Sequence, residues 1–186
     1  MVENKLFEKN DYTSTSLVKG EYENCMFKNC NFYQTDLSDF IFRECKFDNC
    51  DMSLAQTKHT TFNDIRFANC KLMGMQFHAC NSFLLSFSFE NCNLKLSVFY
   101  KLKLKKTNFT NCNLQETDFS EADLTSAVFD NCDMHRTIFY KTNLEKADFH
   151  SAFNYSFDPE QNRIKKARFS QTGICGLLDK YNIDIE

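Results

Sequence analysis

The sequence predicts an all-β fold: a right-handed quadrilateral parallel β-helix of about eight coils, closed by a short C-terminal helical cap. Three observations carry that prediction. Leu, Phe or Met recurs at every fifth residue through most of the chain, Phe recurs at every twentieth, and 186 residues contain only 4 Gly and 1 Pro. A period of five fits neither an α-helix nor a strand, whose side chains repeat at about 3.6 and 2 residues. It suits a coil in which each five-residue unit supplies one short side and one corner. An ordinary all-β chain turns on Gly and Pro, so these corners must be built from other residues.

The unit is plainest from Cys112: CNLQE, TDFSE, ADLTS, AVFDN, CDMHR, TIFYK, TNLEK, ADFHS. Its third residue is the centre. Centres run unbroken from Leu94 to Phe149, and an earlier series, offset by two, runs from Phe7 to Phe77 with Thr57 out of character. Four units close a coil, because Phe27, Phe47 and Phe67 share one column with Phe89, Phe109, Phe129, Phe149 and Phe169. Strands stacked about 4.8 Å apart would stack these rings. Eight of ten Cys stand two residues before one of these centres, at a small inward position, and a ninth, Cys80, keeps the same phase. The column Asn29, Asn49, Asn69, Asn91, Asn111 and Asn131 marks one corner of six coils, where amides can hydrogen-bond along the stack.

The two-residue offset falls in HACNSF, between Phe77 and Leu84, and predicts a small bulge. Regular coils are expected over about 7–152. A looser coil follows over 153–174, with Pro159 where a centre should be and with Ile164, Phe169 and Ile174 back on schedule. The cap is 175–186, and the whole chain, 1–186, reads as one domain. In the cap, Leu177, Leu178 and Tyr181 share one helical face and Ile183 alternates with Ile185. Solenoid ends need caps, and an apolar cap predicts a homodimer through Leu177, Leu178, Tyr181 and Ile183.

The first ten residues carry no apolar run, so no signal peptide is expected. Ten Cys then read as reduced thiols, and a cytoplasmic location is expected. No stretch approaches the roughly 18 apolar residues of a membrane helix, so no membrane partner is expected. Cys25/Cys30 and Cys45/Cys50 are spaced as neighbouring sides of one coil, with no second ligand set, so no metal is expected. His59, His78, His135 and His150 spread over distant coils, and no nucleotide-binding or hydrolase motif occurs. The expectation is therefore no enzyme, no catalytic residue and no cofactor.

Charge is uneven along the chain. Residues 111–160 hold 3 basic and 10 acidic side chains, net −7, whereas residues 1–110 and 161–186 are each net +2. Twenty-residue spacing would place Glu116 over Arg136 and Glu121 over Lys141, with Lys103 beside Asp123. Asp118, Asp130 and Asp133 have no such neighbour. These six carboxylates are the candidate partner-binding face. The run KLKLKK (101–106) reads as a solvated edge, with no direct nucleic-acid binding expected.

Units such as TDFSE, ADLTS and TNLEK resemble the pentapeptide-repeat family over about residues 7–174. DPEQNRIKKARFS followed by GLLDKYNI is similar to the end of Qnr-type quinolone-resistance proteins and of a gyrase-toxin immunity protein. Qnr coils also carry long loops, which this chain lacks. The resemblance implies a C-terminally dimerised rod that mimics duplex DNA. Such a rod would bind DNA gyrase or topoisomerase IV and protect it from a toxin or quinolone. The alternative reading is a structural or scaffolding module with an unrelated partner.

Overall fold

The computed structural model describes residues 1–185 and shows the four-sided parallel β-helix, of about eight coils. Side 1, the side of the Phe column, is a nine-stranded parallel sheet. Its strands run from Leu6–Glu8 to Arg168–Phe169, in register Phe27↔Phe47, Phe47↔Phe67, Phe67↔Phe89 and Phe89↔Phe109. Side 2 is centred on Phe32, Leu94, Leu114 and Met134, side 3 on Leu37, Phe99, Phe119 and Phe139, and side 4 on Phe42, Leu104, Leu124 and Leu144. All these centres are buried. In the first half of the rod, side 4 is also a regular sheet of four strands, from Val2–Glu3 to Thr61–Asn63.

The Phe column forms as expected. Successive rings stack at 4.8 Å for Phe27–Phe47, 5.1 Å for Phe89–Phe109, 5.2 Å for Phe109–Phe129 and 5.2 Å for Phe149–Phe169. Rings from opposite sides meet edge to face across the core, as Phe109 of side 1 does with Phe99 and Phe119 of side 3. That pairing of offset stacks with edge contacts is the geometry aromatic quadrupoles favour.

The corners explain the shortage of Gly. The residue two after most centres adopts a left-handed conformation, as at Asn29 (φ 56°), Gln34 (φ 54°) and Lys106 (φ 59°). Non-Gly residues resist that region by about 1–2 kcal/mol. Here the backbone N–H of that residue donates to a carbonyl one coil further on, as from Asn29 to Asp48 at 2.9 Å and from Gln34 to Ser53 at 3.0 Å. The stack thereby holds each corner in place. At many corners the next N–H also bonds back to the centre's carbonyl, as from Thr35 to Phe32 at 3.0 Å, which closes a type II turn. Asn is among the side chains that tolerate this region best, and the Asn column adds a ladder. Asn49 donates to Asn29 at 2.7 Å, Asn111 to Asn91 at 3.1 Å and Asn131 to Asn111 at 2.8 Å. The ladder breaks once, where Asn69 turns to Asp48.

The small inward position has a function that the sequence did not reveal. Its S–H or O–H donates to the carbonyl of a centre one coil below. Cys50 reaches the Phe27 carbonyl at 3.3 Å, Cys132 that of Phe109 at 3.4 Å, Thr60 that of Leu37 at 2.7 Å and Thr137 that of Leu114 at 2.7 Å. The bond gives each buried S–H or O–H a partner, and the Leu37 and Leu114 carbonyls, which already accept from the Phe40 and Thr117 N–H, take it as a second bond. Burial also pushes the Cys45 and Cys80 thiols up to about 12, so neither is a nucleophile near neutral pH. Nine of the ten thiols are buried, and Cys175 is half-buried. A disulfide-exchange reagent should therefore titrate one thiol in the native protein and ten in denaturant. Rapid reaction of three or more native thiols would contradict this packing.

Three sequence expectations need correction. The five-residue phase continues beyond Phe77 and breaks later than expected: Leu84 is a left-handed corner residue (φ 58°, 59 % exposed), not a buried centre. The extra two residues are Leu85 and Ser86, after which Phe87 fills the inward position beside Ile65. In the looser coil, Tyr155 and Phe157 turn inward. Asp158 caps the following turn, Pro159–Gln161, by accepting from the Glu160 N–H at 2.9 Å. Phe157 thus covers Phe139, with ring centres 5.0 Å apart, and Pro159 need not occupy a centre. Ile174 does not resume the inward series but is 48 % exposed.

The cap consists of two short 3-10 turns, Gly173–Leu177 and Asp179–Tyr181, with no strand at Ile183. Two close approaches fix it on the last coil: a Cβ on Gly176 would lie 1.9 Å from the Tyr155 carbonyl oxygen, and one on Gly173 2.2 Å from the Tyr155 hydroxyl. Lys180 adds a clasp, bonding Asp158 at 2.7 Å and Glu160 at 2.8 Å.

Candidate partner-binding surface

The six candidate carboxylates divide into two sets. Glu116, Glu121 and Asp123 have cation partners, but different ones from those that spacing predicts. Glu116 pairs with Lys95 at 3.2 Å, not with Arg136. Glu121 pairs with Lys101 at 3.4 Å and accepts from the Tyr100 hydroxyl at 3.0 Å, while Lys141 lies over the Tyr140 ring. Asp123 pairs with Lys105 at 3.3 Å, and Lys103 makes no ion pair among the described residues. In every case the partner lies in the coil below, within or just before the basic run.

Asp118, Asp130 and Asp133 have only neutral partners. Asp118 accepts from the Ser120 N–H at 2.8 Å and Asp130 from the Ser151 hydroxyl at 2.7 Å. Asp133 accepts from Gln115 at 2.6 Å and Asn154 at 2.8 Å. Partial burial acts to raise the Asp133 carboxyl, but donation from Asn154 and Gln115 outweighs it and leaves the group below its ordinary range. It is therefore ionised at neutral pH.

The remaining carboxylates of this stretch also have cation partners. Glu145 pairs with Arg163 at 2.7 Å, Asp148 with Arg168 at 2.9 Å, and Asp158 and Glu160 share Lys180. Seven of its ten carboxylates thus meet a cation supplied from outside residues 111–160. Of the acidic block of the sequence, three carboxylates are left with no cation on the rod. Asp130 ends side 1 and Asp133 begins side 2, flanking the corner at Asn131. Asp118 begins side 3 one coil earlier. The structure brings two of the three together.

Among the described residues, no group of three or more His, Cys, Asp or Glu is placed to hold a metal ion, and no helix is long and apolar enough to cross a membrane. Among the described residues, one His meets a carboxylate, in an exposed corner stack where His59 lies 3.3 Å from Asp39 and Lys19 bonds the same carboxylate at 2.8 Å.

The dimer residues also divide. Leu177 is buried against its own chain (7 % exposed) and is not available to a partner, and Leu178 is half-buried. Tyr181 and Ile183 are more than half exposed, and Ile174 and Ile185 join them at the same end.

A narrow, filled β-solenoid whose distinguishing features lie on its outer surface belongs to the class of repeat proteins that present surfaces, as solenoids do. A model of the pentapeptide repeat region matches residues 20–87 and 82–153, and the chain belongs to the pentapeptide-repeat family. No curated protein matches the sequence. Among solved structures, it is similar to a trypsin-treated variant of QnrB1, a plasmid-mediated fluoroquinolone resistance protein. The two share 16 % identity over 100 % of this chain and 98 % of that one, at a TM-score of 0.65. Full-length QnrB1 matches at 17 % identity over 97 % and 99 %, with a TM-score of 0.56. At such identity these likenesses speak to the fold.

Proposed function

We propose that this chain acts without catalysis, as a rigid rod that binds a type II topoisomerase, DNA gyrase or topoisomerase IV, and protects it from a toxin or quinolone. The observation that carries the reading is the set Asp118, Asp130 and Asp133: ionisable groups without a cation in coils where every other carboxylate has one. A fold that spans QnrB1 almost end to end supports the choice of partner. Three unneutralised charges are few for a mimic of duplex DNA, so association is expected to be steered rather than tight, and to weaken with salt. Added protein should inhibit gyrase supercoiling at low ionic strength and less at high ionic strength. If it neither inhibits supercoiling nor rescues the enzyme from any poison, the scaffolding alternative replaces this reading.

The proposed assembly is a homodimer through the C-terminal end, now using Ile174, Tyr181, Ile183 and Ile185, with Leu178 at the margin. Light scattering should show a dimer that the Ile183→Asp/Ile185→Asp variant converts to monomer. A wild-type monomer at high concentration would refute it.

A further inference from the structure

Grouping charges by side of the rod, instead of by stretch of sequence, reveals a surface that the sequence hides. Above the bulge, side 4 comprises residues 102–106, 122–126, 142–146 and 162–166. It carries seven cations against two carboxylates, Asp123 and Glu145, a net +5. The corresponding units of side 1 (87–91 through 167–171) are net −2, those of side 2 (92–96 through 152–156) net 0 and those of side 3 (97–101 through 157–161) net −2. Lys105 and Arg163 are engaged by the two carboxylates. That leaves Lys103, Lys106, Lys146, Lys165 and Lys166 exposed, with no ion pair among the described residues. Four of these five lie on the turns that lead from side 4 to side 1. Lys146 and Lys166 occupy the same corner in successive coils, about 4.8 Å apart along the rod, where like charges repel. The corner does not require Lys, since Ser126 fills it one coil below.

The same turn in the bulge coil holds Phe83 and Leu84, 71 % and 59 % exposed. One convex edge of the rod therefore reads, from coil to coil, as an apolar pair followed by lysine-bearing turns in three of the four coils above it.

We infer that this edge docks on an anionic lipid bilayer, with Phe83 and Leu84 entering the interface and the lysines facing acidic headgroups. The five free cations are all lysine, a strongly hydrated point charge that needs no fixed partner geometry. Lysine is depleted in protein–protein interfaces but is attracted to the diffuse field of an anionic leaflet. A convex edge fits a flat surface, and an exposed Phe-Leu pair supplies the apolar burial that holds an amphipathic element in the headgroup region. Duplex nucleic acid would use the lysines but leave Phe83 and Leu84 in water. The inference does not depend on the topoisomerase reading, which rests on sides 1 to 3.

The test is co-sedimentation of the full-length protein with vesicles of phosphatidylcholine alone and of phosphatidylcholine mixed with phosphatidylserine. Binding is expected only to the mixed vesicles and should fall with added salt. Each lysine removed should lower partitioning roughly fivefold, so Lys165→Gln/Lys166→Gln should lose roughly twenty-fivefold. Phe83→Ser/Leu84→Ser should also weaken binding, and both variants alter only exposed turn residues. Absence of wild-type binding to mixed vesicles would overturn the inference. So would equal binding by the lysine variant, or a duplex-DNA mobility shift by wild type without vesicle binding.

Discussion

Phe109→Ala should destabilise the protein by about 3–5 kcal/mol, the range for removing a buried aromatic side chain. Phe109 is fully buried at mid-rod. Its ring stacks on Phe89 at 5.1 Å and Phe129 at 5.2 Å, and it receives the edges of Phe99 and Phe119. The substitution removes two stacking contacts within its own column and two edge contacts with the opposite side of the coil. Little collapse can fill the void, because backbone hydrogen bonds fix the coils above and below at the strand spacing. Urea unfolding should show a lower midpoint, while Lys106→Ala, on an exposed corner, should stay within about 0.5 kcal/mol of wild type. Equal midpoints for the two variants would show that the Phe column does not hold the rod together.

Gly176→Ala should cost about 1–3 kcal/mol or more, the usual range for overpacking. The added methyl would meet the Tyr155 carbonyl oxygen at 1.9 Å and the Tyr155 carbonyl carbon at 3.0 Å. Both are backbone atoms, so a side-chain rotation cannot relieve the clash. The Gly176 carbonyl also accepts from the Phe157 N–H at 3.1 Å, and that tie would be strained as the cap lifts. Leu177 would lose its buried position. Gly20→Ala is the control, since nothing lies within 4 Å of the added Cβ. Unfolding midpoints and the rate of proteolysis after residue 172 should separate the two variants. A Gly176→Ala protein as stable and as resistant as Gly20→Ala would contradict the docking of the cap.

Much of the fold was legible because a solenoid repeats one local solution. Spacing of twenty placed Phe109 between Phe89 and Phe129 and predicted the Asn ladder without any knowledge of side-chain conformation. The misreadings fall where repetition stops. At the bulge, Leu84 suits a centre by type, yet the corner geometry persists through it and places it outside. Near Pro159, the inward positions pass to Tyr155 and Phe157 because aromatic bulk decides which residues fill the end of the core. The ion pairs were misassigned for another reason. Backbone register fixes which residues stack, but a long side chain reaches up or down according to its rotamer, and Glu116, Glu121 and Asp123 all reach down to lysines. The separation of Asp118, Asp130 and Asp133 was legible, because those columns offer no cation in either direction. The basic edge was not, since counting charge along the chain averages over four sides of the rod.

The central functional claim is that coil-to-coil pairing decides which carboxylates can meet a partner. It is tested most directly by gyrase supercoiling in the presence of two triple variants of equal charge change. Asp118→Asn/Asp130→Asn/Asp133→Asn removes the carboxylates without cations, and Glu116→Gln/Glu121→Gln/Asp123→Asn removes three that are already neutralised. The first should lose most of the inhibition shown by wild type, and the second should retain it. Equal inhibition by both, or loss confined to the second, would contradict the claim.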